Sequence, residues 1–170
     1  MKKMLGDINW DITKKIMEQI STQNKNTLIL WAKEYAYDNY FPVYQKYQKE
    51  NLAEGLFLSL DACLQKEIPL KVYKALLSQV RKEISLEKDP VAVASIRAIT
   101  TACAVISTPT NALGFLFYGC AAKAYDALGL KNTDLNYQKY AEKEMENAYL
   151  SLLKYSVTDE PDPVKIDWNC

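Results

Sequence analysis

The pattern of apolar and polar positions is dominated by one stretch, from Ala98 to Ala122, that contains no charged side chain. When the window is widened to 90–122, Arg97 is the only charge in it. Because 25% of the whole chain is Asp, Glu, Lys or Arg, a run of this length is predicted to lie in the interior of the fold.

The proline in Thr108-Pro109-Thr110 divides this stretch into two helices. A residue before proline is disfavoured in the α region, whereas proline itself suits the first turn of a helix. The first predicted helix is Pro90–Ser107, with Asp89 as its N-cap. The second covers about 110–128 and ends at Gly129. Both are rich in alanine, so we expect a central helical hairpin that is contacted from several sides.

Two glycines, Gly114 and Gly119, lie inside the second of these helices. A glycine in a helix interior costs about 1 kcal/mol relative to alanine. Their presence therefore suggests that another element approaches the helix backbone closely at both positions.

A transmembrane hairpin is the alternative interpretation of the uncharged run, which is long enough to span a bilayer. The polar turn at its middle and the absence of a consistent Lys/Arg bias on its flanks favour the core of a soluble protein. We therefore expect no interaction with a membrane.

Five further segments show the apolar spacing of amphipathic helices. They are 8–21, 28–40, 52–66, 69–86 and about 134–155. Pro42 is expected to end or kink the second of them near Tyr40. No segment alternates with the period of a strand, so the predicted class is all-α, with six or seven helices packed around the hairpin at about 90–128. We expect one all-α domain over 1–157.

The segment 158–170 is predicted to be an extended, acidic tail, since it holds two prolines, four acids and one lysine. Trp168 is expected to pin its end. Asp159, Glu160 and Asp162 are candidate contacts for a partner that carries positive charge.

Composition narrows the classes of function. The 21 basic and 21 acidic residues cancel, so the overall charge gives no reason to expect binding to nucleic acid or an anionic membrane. The start of the chain lacks the apolar segment of a signal peptide. Three of the four cysteines lie in apolar helical patterns, which favours reduced thiols and a cytoplasmic location, with disulfides as the alternative.

Histidine is absent, which removes the commonest general base near neutral pH and the Ser-His and Cys-His nucleophile pairs. There is no Cys-x-x-Cys pair, and no glycine-rich phosphate-binding loop among only five glycines. We therefore expect no catalytic residue, cofactor or metal, and a protein that is not an enzyme.

The candidate partner-binding residues are aromatic or basic. Five tyrosines fall between positions 35 and 47; Tyr37 and Tyr44 are the candidates for a recognition surface, although a packed core face is the favoured interpretation of the cluster. Arg97 must be paired or reach water, so it either lies at the edge of the core or anchors a partner. The helix at 69–86 also has a basic side, including Arg81, that could contact an acidic partner.

Four blocks of the sequence resemble the immunity-protein-five-like family of bacterial polymorphic-toxin systems. They are Leu30-Trp31-Ala32 with Ala36, the block 61–68, Asp89-Pro90-Val91-Ala92, and Thr101-Ala102-Cys103 leading to Ala112-Leu113-Gly114. A tryptophan of the family's second block is Cys63 here, and the family's histidines are replaced, at Cys103 and Asn111, so no role of those side chains is carried over.

The resemblance implies a small all-α bacterial protein that binds a toxin domain and neutralises it. Two alternatives remain open from the residues themselves. One is a helical scaffold that forms a homodimer through the tyrosine-rich helix. The other is a small-molecule binder with a cleft around Arg97.

Overall fold

A computed structural model describes residues 1–48, 52–84 and 87–168 of the chain. All regular structure in these ranges is helical. The α-helices are α1 Asp11–Ser21, α2 Lys25–Asn39, α3 Phe41–Tyr47, α4 Leu52–Leu64, α5 Leu70–Glu83, α6 Pro90–Cys103, α7 Asn111–Leu128 and α8 Asp134–Tyr155. The all-α class is therefore confirmed, and each of the seven predicted segments overlaps one of these helices. The helix predicted to reach Ser107 ends as an α-helix at Cys103 and continues as a 3-10 turn over Ala104–Ile106, and the predicted end of the segment 69–86 lies outside the described residues.

The additional helix, α3, begins directly after the point at which Pro42 was expected to end or kink its predecessor. Proline occupies the first turn of α3, where its missing N–H breaks no intrahelical hydrogen bond. Tyr40 links the two helices, because its N–H bonds to the carbonyl of Ala36 and its own carbonyl accepts from Tyr44. The chain thus re-enters a helix at once instead of leaving the core.

The helices α6 and α7 form the predicted central hairpin. They pack more extensively against each other than any other pair does, and α6 also contacts α2, α3, α4 and α5. Ten of the 14 residues of α6 are buried. Asp89 caps its start by accepting hydrogen bonds from the N–H groups of Val91 and Ala92, and Gly129 ends α7 with a φ of 73°. In the part of the chain that is described, no helix combines the length and hydrophobicity needed to cross a bilayer.

Gly119 of α7 is the position at which another element comes closest. A Cβ built there would lie 2.0 Å from Cζ of Tyr40, whose ring crosses the helix at this point. The close approach expected at Gly119 is therefore found. The same expectation is wrong for Gly114, where the nearest atom is the Thr101 methyl at an ordinary 3.6 Å.

Tyr40 crosses α7 to reach a polar cluster in the core. Oε1 of Glu144, on α8, accepts hydrogen bonds from the hydroxyls of Tyr35 at 2.9 Å and Tyr40 at 3.2 Å. Its Oε2 pairs with Lys123 Nζ of α7 at 2.7 Å. Glu144 is only 2% exposed, so this network satisfies a buried carboxylate and ties α2, α7 and α8 together.

The segment after α8 lies along the connection between α1 and α2. The N–H of Val157 donates to Oε1 of Gln23 at 2.7 Å, and the N–H of Val164 donates to the Gln23 carbonyl at 2.8 Å. The indole N–H of Trp168 donates to Ser21 Oγ at 3.0 Å. The chain is non-helical from residue 156 to residue 168, and these three bonds hold it against the helices.

Candidate partner-binding surfaces

The six residues predicted to bind a partner lie in different parts of the structure. Arg97 is on α6, Tyr37 on α2 and Tyr44 on α3, and three acids lie in the segment after α8. They do not form one site. The structure instead places Arg97 and Tyr37 on two separate surfaces of different chemistry.

Arg97 lines an open groove of about 510 Å³. We define the Arg97 groove by its lining residues: Lys3, Arg81, Ile84, Arg97, Thr100, Thr101 and Tyr118. The guanidinium belongs to a half-buried side chain on α6, and Arg81 reaches the groove from α5. The groove thus holds three cations, Lys3, Arg81 and Arg97. No carboxylate of the described residues lies within 4.0 Å of any of them.

Lys3 reaches this groove because the chain on both sides of it is fixed to α7. The hydroxyl of Tyr125 donates to the carbonyl of Lys2 at 2.6 Å. The N–H of Leu5 donates to the carbonyl of Phe117 at 3.1 Å, and the Leu5 side chain is 2% exposed. The cation at position 3 is thus positioned by backbone contacts that the sequence does not reveal.

Tyr37 belongs to a second surface, formed by α2 and α4. We define the α2–α4 face by its exposed apolar side chains Leu30, Tyr37 and Leu58, with Lys33, Glu34, Asp38 and Asp61 around them. Leu30 is 48%, Tyr37 43% and Leu58 66% exposed. The Tyr37 ring packs against Phe41 and Phe57, with centroids 5.4 and 5.3 Å away, so its orientation is fixed although much of it meets solvent.

The charges of the α2–α4 face form a network with an acidic excess. Lys33 Nζ lies 3.0 Å from Oε1 of Glu34 and 2.7 Å from Oδ1 of Asp61, and it links the two helices. Asp38 lies one turn along from Glu34 on α2. Burial raises the pKa of Tyr155, and the charges of Glu34 and Asp38 raise it further, so these acids also act on the end of α8.

Tyr44 and Glu160 make contacts within the protein and are not free to bind a partner: Tyr44 is buried in the core, and Glu160 binds the start of α2. Tyr44 is only 4% exposed, so most of its ring faces the core. The carboxylate of Glu160 accepts from the N–H of Asn24 at 2.7 Å and from the hydroxyl of Thr27 at 2.5 Å, at the start of α2. A negative charge is favourable at this end of a helix. Asp159 and Asp162 are exposed, with positive φ values of 52° and 55°.

Comparison with models of protein families matched residues 18–152 to the Imm-5 like putative immunity protein family. The chain belongs to this family. Comparisons with curated proteins and with solved structures gave no match.

The part of the chain that matches the Imm-5 like family contains the whole α2–α4 face. It also contains α5, α6 and α7, and with them Arg81 and Arg97 of the groove. Lys3 and the acids after α8 lie outside it. Of the surfaces described above, the α2–α4 face is therefore the one that is built entirely from the family's own elements.

Two of the cysteine thiols are buried in the core, and the described residues form no metal-binding cluster. In the described ranges, no group of three or more His, Cys, Asp or Glu side chains is placed to hold a metal ion. Burial raises the pKa of the Cys103 thiol to about 12, and burial followed by the charge of Glu144 raises that of Cys120. Both thiols therefore stay protonated and are poor nucleophiles near neutral pH. Cys63, Cys103 and Cys120 are free.

The sequence patterns did not identify two residues that the structure places in charged clusters, Lys3 and Glu144. Lys3 carries no local signal, because its position depends on contacts with α7. Glu144 does carry one: it lies seven residues after Tyr137, three after Ala141 and four before Ala148, which is the spacing of the buried face of α8. A carboxylate in such a register indicates a buried charge with partners on neighbouring helices.

Proposed function

We propose that this protein binds a cognate bacterial toxin and neutralises it by covering its functional surface, without catalysis. Membership of the Imm-5 like family carries the proposal, because immunity proteins act on toxin partners. The toxin would be met in the cytoplasm of the bacterium that the protein protects.

We propose the α2–α4 face as the main contact surface. Large apolar side chains surrounded by charged residues are the composition of a protein–protein interface, with a desolvated centre and a polar rim. Leu30, Tyr37 and Leu58 supply the centre. The Lys33 ion pairs and the packing of Tyr37 on Phe57 fix the face before binding, so little conformational entropy is lost on association.

The first test is affinity capture of the tagged protein from its native cells, in which the neighbouring genes are expressed with it. We expect it to retain, in stoichiometric amount, the product of an adjacent gene that is lethal alone and harmless when co-expressed. Failure to recover such a partner from a strain that expresses both proteins would contradict the toxin-binding proposal.

The contact surface is then tested with purified toxin. The double variant Tyr37→Ala/Leu58→Ala is expected to bind about 30-fold more weakly or worse, as for loss of interface hot spots. A matched control is Leu135→Ala/Leu150→Ala on α8, where the two leucines are 64% and 58% exposed. Equal binding by both double variants would show that the toxin docks elsewhere.

The homodimer and scaffold hypotheses make a different prediction about the same face. A second copy that pairs through Tyr37 would give a dimer in sedimentation, and the Tyr37→Ala/Leu58→Ala variant would dissociate it. A monomer at all concentrations would leave the face free for the toxin.

A further inference from the structure

We infer that the Arg97 groove binds an acidic polypeptide segment of the protein partner. The inference deepens the proposed function, since the toxin would supply this segment. It concerns a surface different from the α2–α4 face, and it is carried by the charge, construction and size of the groove.

The charge of the groove is unbalanced. Lys3, Arg81 and Arg97 line one depression, and no described carboxylate pairs with any of them. Some cations elsewhere are paired, as Lys33 is with Asp61 and Lys46 with Asp126, and other exposed lysines have no partner among the described residues; the groove differs because it brings three such cations to one depression. A concavity lined by one sign of charge concentrates the opposite charge at its surface. The electrostatics therefore favour an anionic occupant.

The three cations come from three separate parts of the fold. Arg97 rises from α6, which is the most enclosed helix of the bundle. Arg81 is on α5, and Lys3 lies between backbone anchors at Lys2 and Leu5. The backbones that carry the three cations are therefore in place before binding, and the entropy lost on association is mainly that of the exposed Lys3 and Arg81 side chains.

The size of the groove favours a chain segment over a compact ion. Its volume of about 510 Å³ is far more than one phosphate or carboxylate fills. The groove lies beside the middle of α6 and not at a helix start, so the N–H groups that cradle phosphates are already bonded within the helix.

The remaining lining groups fit a peptide that carries carboxylates. Arg97 offers the planar fork that binds a carboxylate with two parallel hydrogen bonds. Ile84 provides an apolar wall for aliphatic stems, and Tyr118 adds an aromatic surface with a hydroxyl. The hydroxyl of Thr100 already donates a hydrogen bond to the Arg97 carbonyl at 3.2 Å. Thr101 therefore provides the second hydroxyl for the ligand, beside that of Tyr118.

The direct test uses a fluorescent hexaglutamate peptide as the probe, with hexaglutamine as the neutral comparison, in fluorescence anisotropy at low salt. We expect saturable binding of hexaglutamate only, weakened by added salt. The variant Lys3→Ala/Arg81→Ala/Arg97→Ala should weaken it about tenfold or more, since each exposed pair contributes about 1.5- to 5-fold.

A charge-matched control removes three cations outside the groove. In Lys14→Ala/Lys71→Ala/Lys74→Ala all three positions are exposed and none is ion-paired in the described structure. We expect its affinity for hexaglutamate to stay within about twofold of the parent. Circular dichroism melts of both triple variants verify that each is folded.

Three results would overturn the inference. Hexaglutamate that does not bind would do so, as would equal weakening by the two triple variants, which would reduce the effect to overall charge. A single-stranded oligonucleotide that binds the groove more tightly than hexaglutamate would replace the acidic segment with a nucleic acid.

The toxin itself separates this inference from the proposed function. The groove variant is expected to bind the toxin more weakly than the control variant does. A toxin that binds both equally would refute the role of the groove and leave the proposed function standing. If the groove binds hexaglutamate but the protein retains no toxin, the inference about the groove stands and the proposed function fails.

Discussion

The substitution Gly119→Ala tests the packing that holds the centre of this protein together. It adds one methyl group to α7 at the point where the Tyr40 ring crosses the helix. The methyl would lie 2.0 Å from Cζ of Tyr40 and 2.4 Å from its Cε2 and Oη. Tyr40 has no exposed surface, and its ring meets Tyr35 and Phe115 edge-on at 5.7 and 6.0 Å. The ring therefore cannot move aside freely.

The expected loss of stability follows from three terms. Overpacking a core costs about 1–3 kcal/mol. Displacing the Tyr40 hydroxyl from Glu144 removes a hydrogen bond to a charged group, worth about 1.5–3 kcal/mol. The higher helix propensity of alanine offsets about 1 kcal/mol. The net destabilisation is about 3 kcal/mol, which lowers the melting temperature of a domain of this size by about 6–12 °C.

The control is the same substitution five residues earlier. At Gly114 the nearest atoms are 3.6 and 3.9 Å from the added Cβ, so Gly114→Ala should be neutral or stabilising by up to about 1 kcal/mol. Both variants are compared by urea and thermal unfolding, followed by circular dichroism. Equal effects of the two substitutions, or a Gly119→Ala variant as stable as the parent, would refute the packing argument.

Two further predictions concern stability. Burial raises the pKa of Tyr35, Tyr40 and Tyr73, and Glu144 adds to the effect at Tyr35 and Tyr40. The free energy of unfolding should therefore be unaffected by these tyrosines below their unfolded-state pKa of about 10. Above that pH the unfolded state ionises first, and the free energy of unfolding should fall by about 1.4 kcal/mol per pH unit for each tyrosine. Urea unfolding between about pH 8 and pH 11 measures this, and absorbance that shows all three ionised near pH 10 in the folded state would contradict it. Glu160→Gln should cost about 1 kcal/mol, because it removes the negative charge at the start of α2. The matched change at the exposed Asp159, Asp159→Asn, should cost nothing measurable in the same unfolding assay, and equal effects would contradict the capping role of Glu160.

The central hairpin could be predicted because its signals are local. An uncharged run, an aspartate cap at position 89 and a glycine stop at position 129 act through neighbours along the chain. The two interior glycines show where this reasoning stops. Gly114 and Gly119 give the same local signal, yet only Gly119 is crossed by a ring, and that ring comes from a residue far away in the sequence.

The candidate surfaces were predictable only in part, for the same reason. The lone charge in an apolar helix identified Arg97, and the spacing of α5 placed Arg81 outside the core. Lys3 joins them only because Tyr125 and Phe117 bind the backbone of the N-terminal segment on either side of it, so no pattern along the chain could show this. Glu160 was identified as an acidic contact, but its carboxylate is used at the start of α2.

The balanced composition of the chain hides two surfaces of opposite charge. The α2–α4 face carries three acids and one lysine, and the Arg97 groove carries three cations that have no carboxylate partner among the described residues. Screening limits each to a range of about 8 Å at physiological salt, so a partner at close approach responds to the local charge and not to the sum of zero. A protein that contacts both surfaces would be oriented by them before it docks, because charge complementarity acts mainly on encounter and register. A neutral total therefore argues against non-specific adhesion to polyanions, and it is fully compatible with a charged and selective interface.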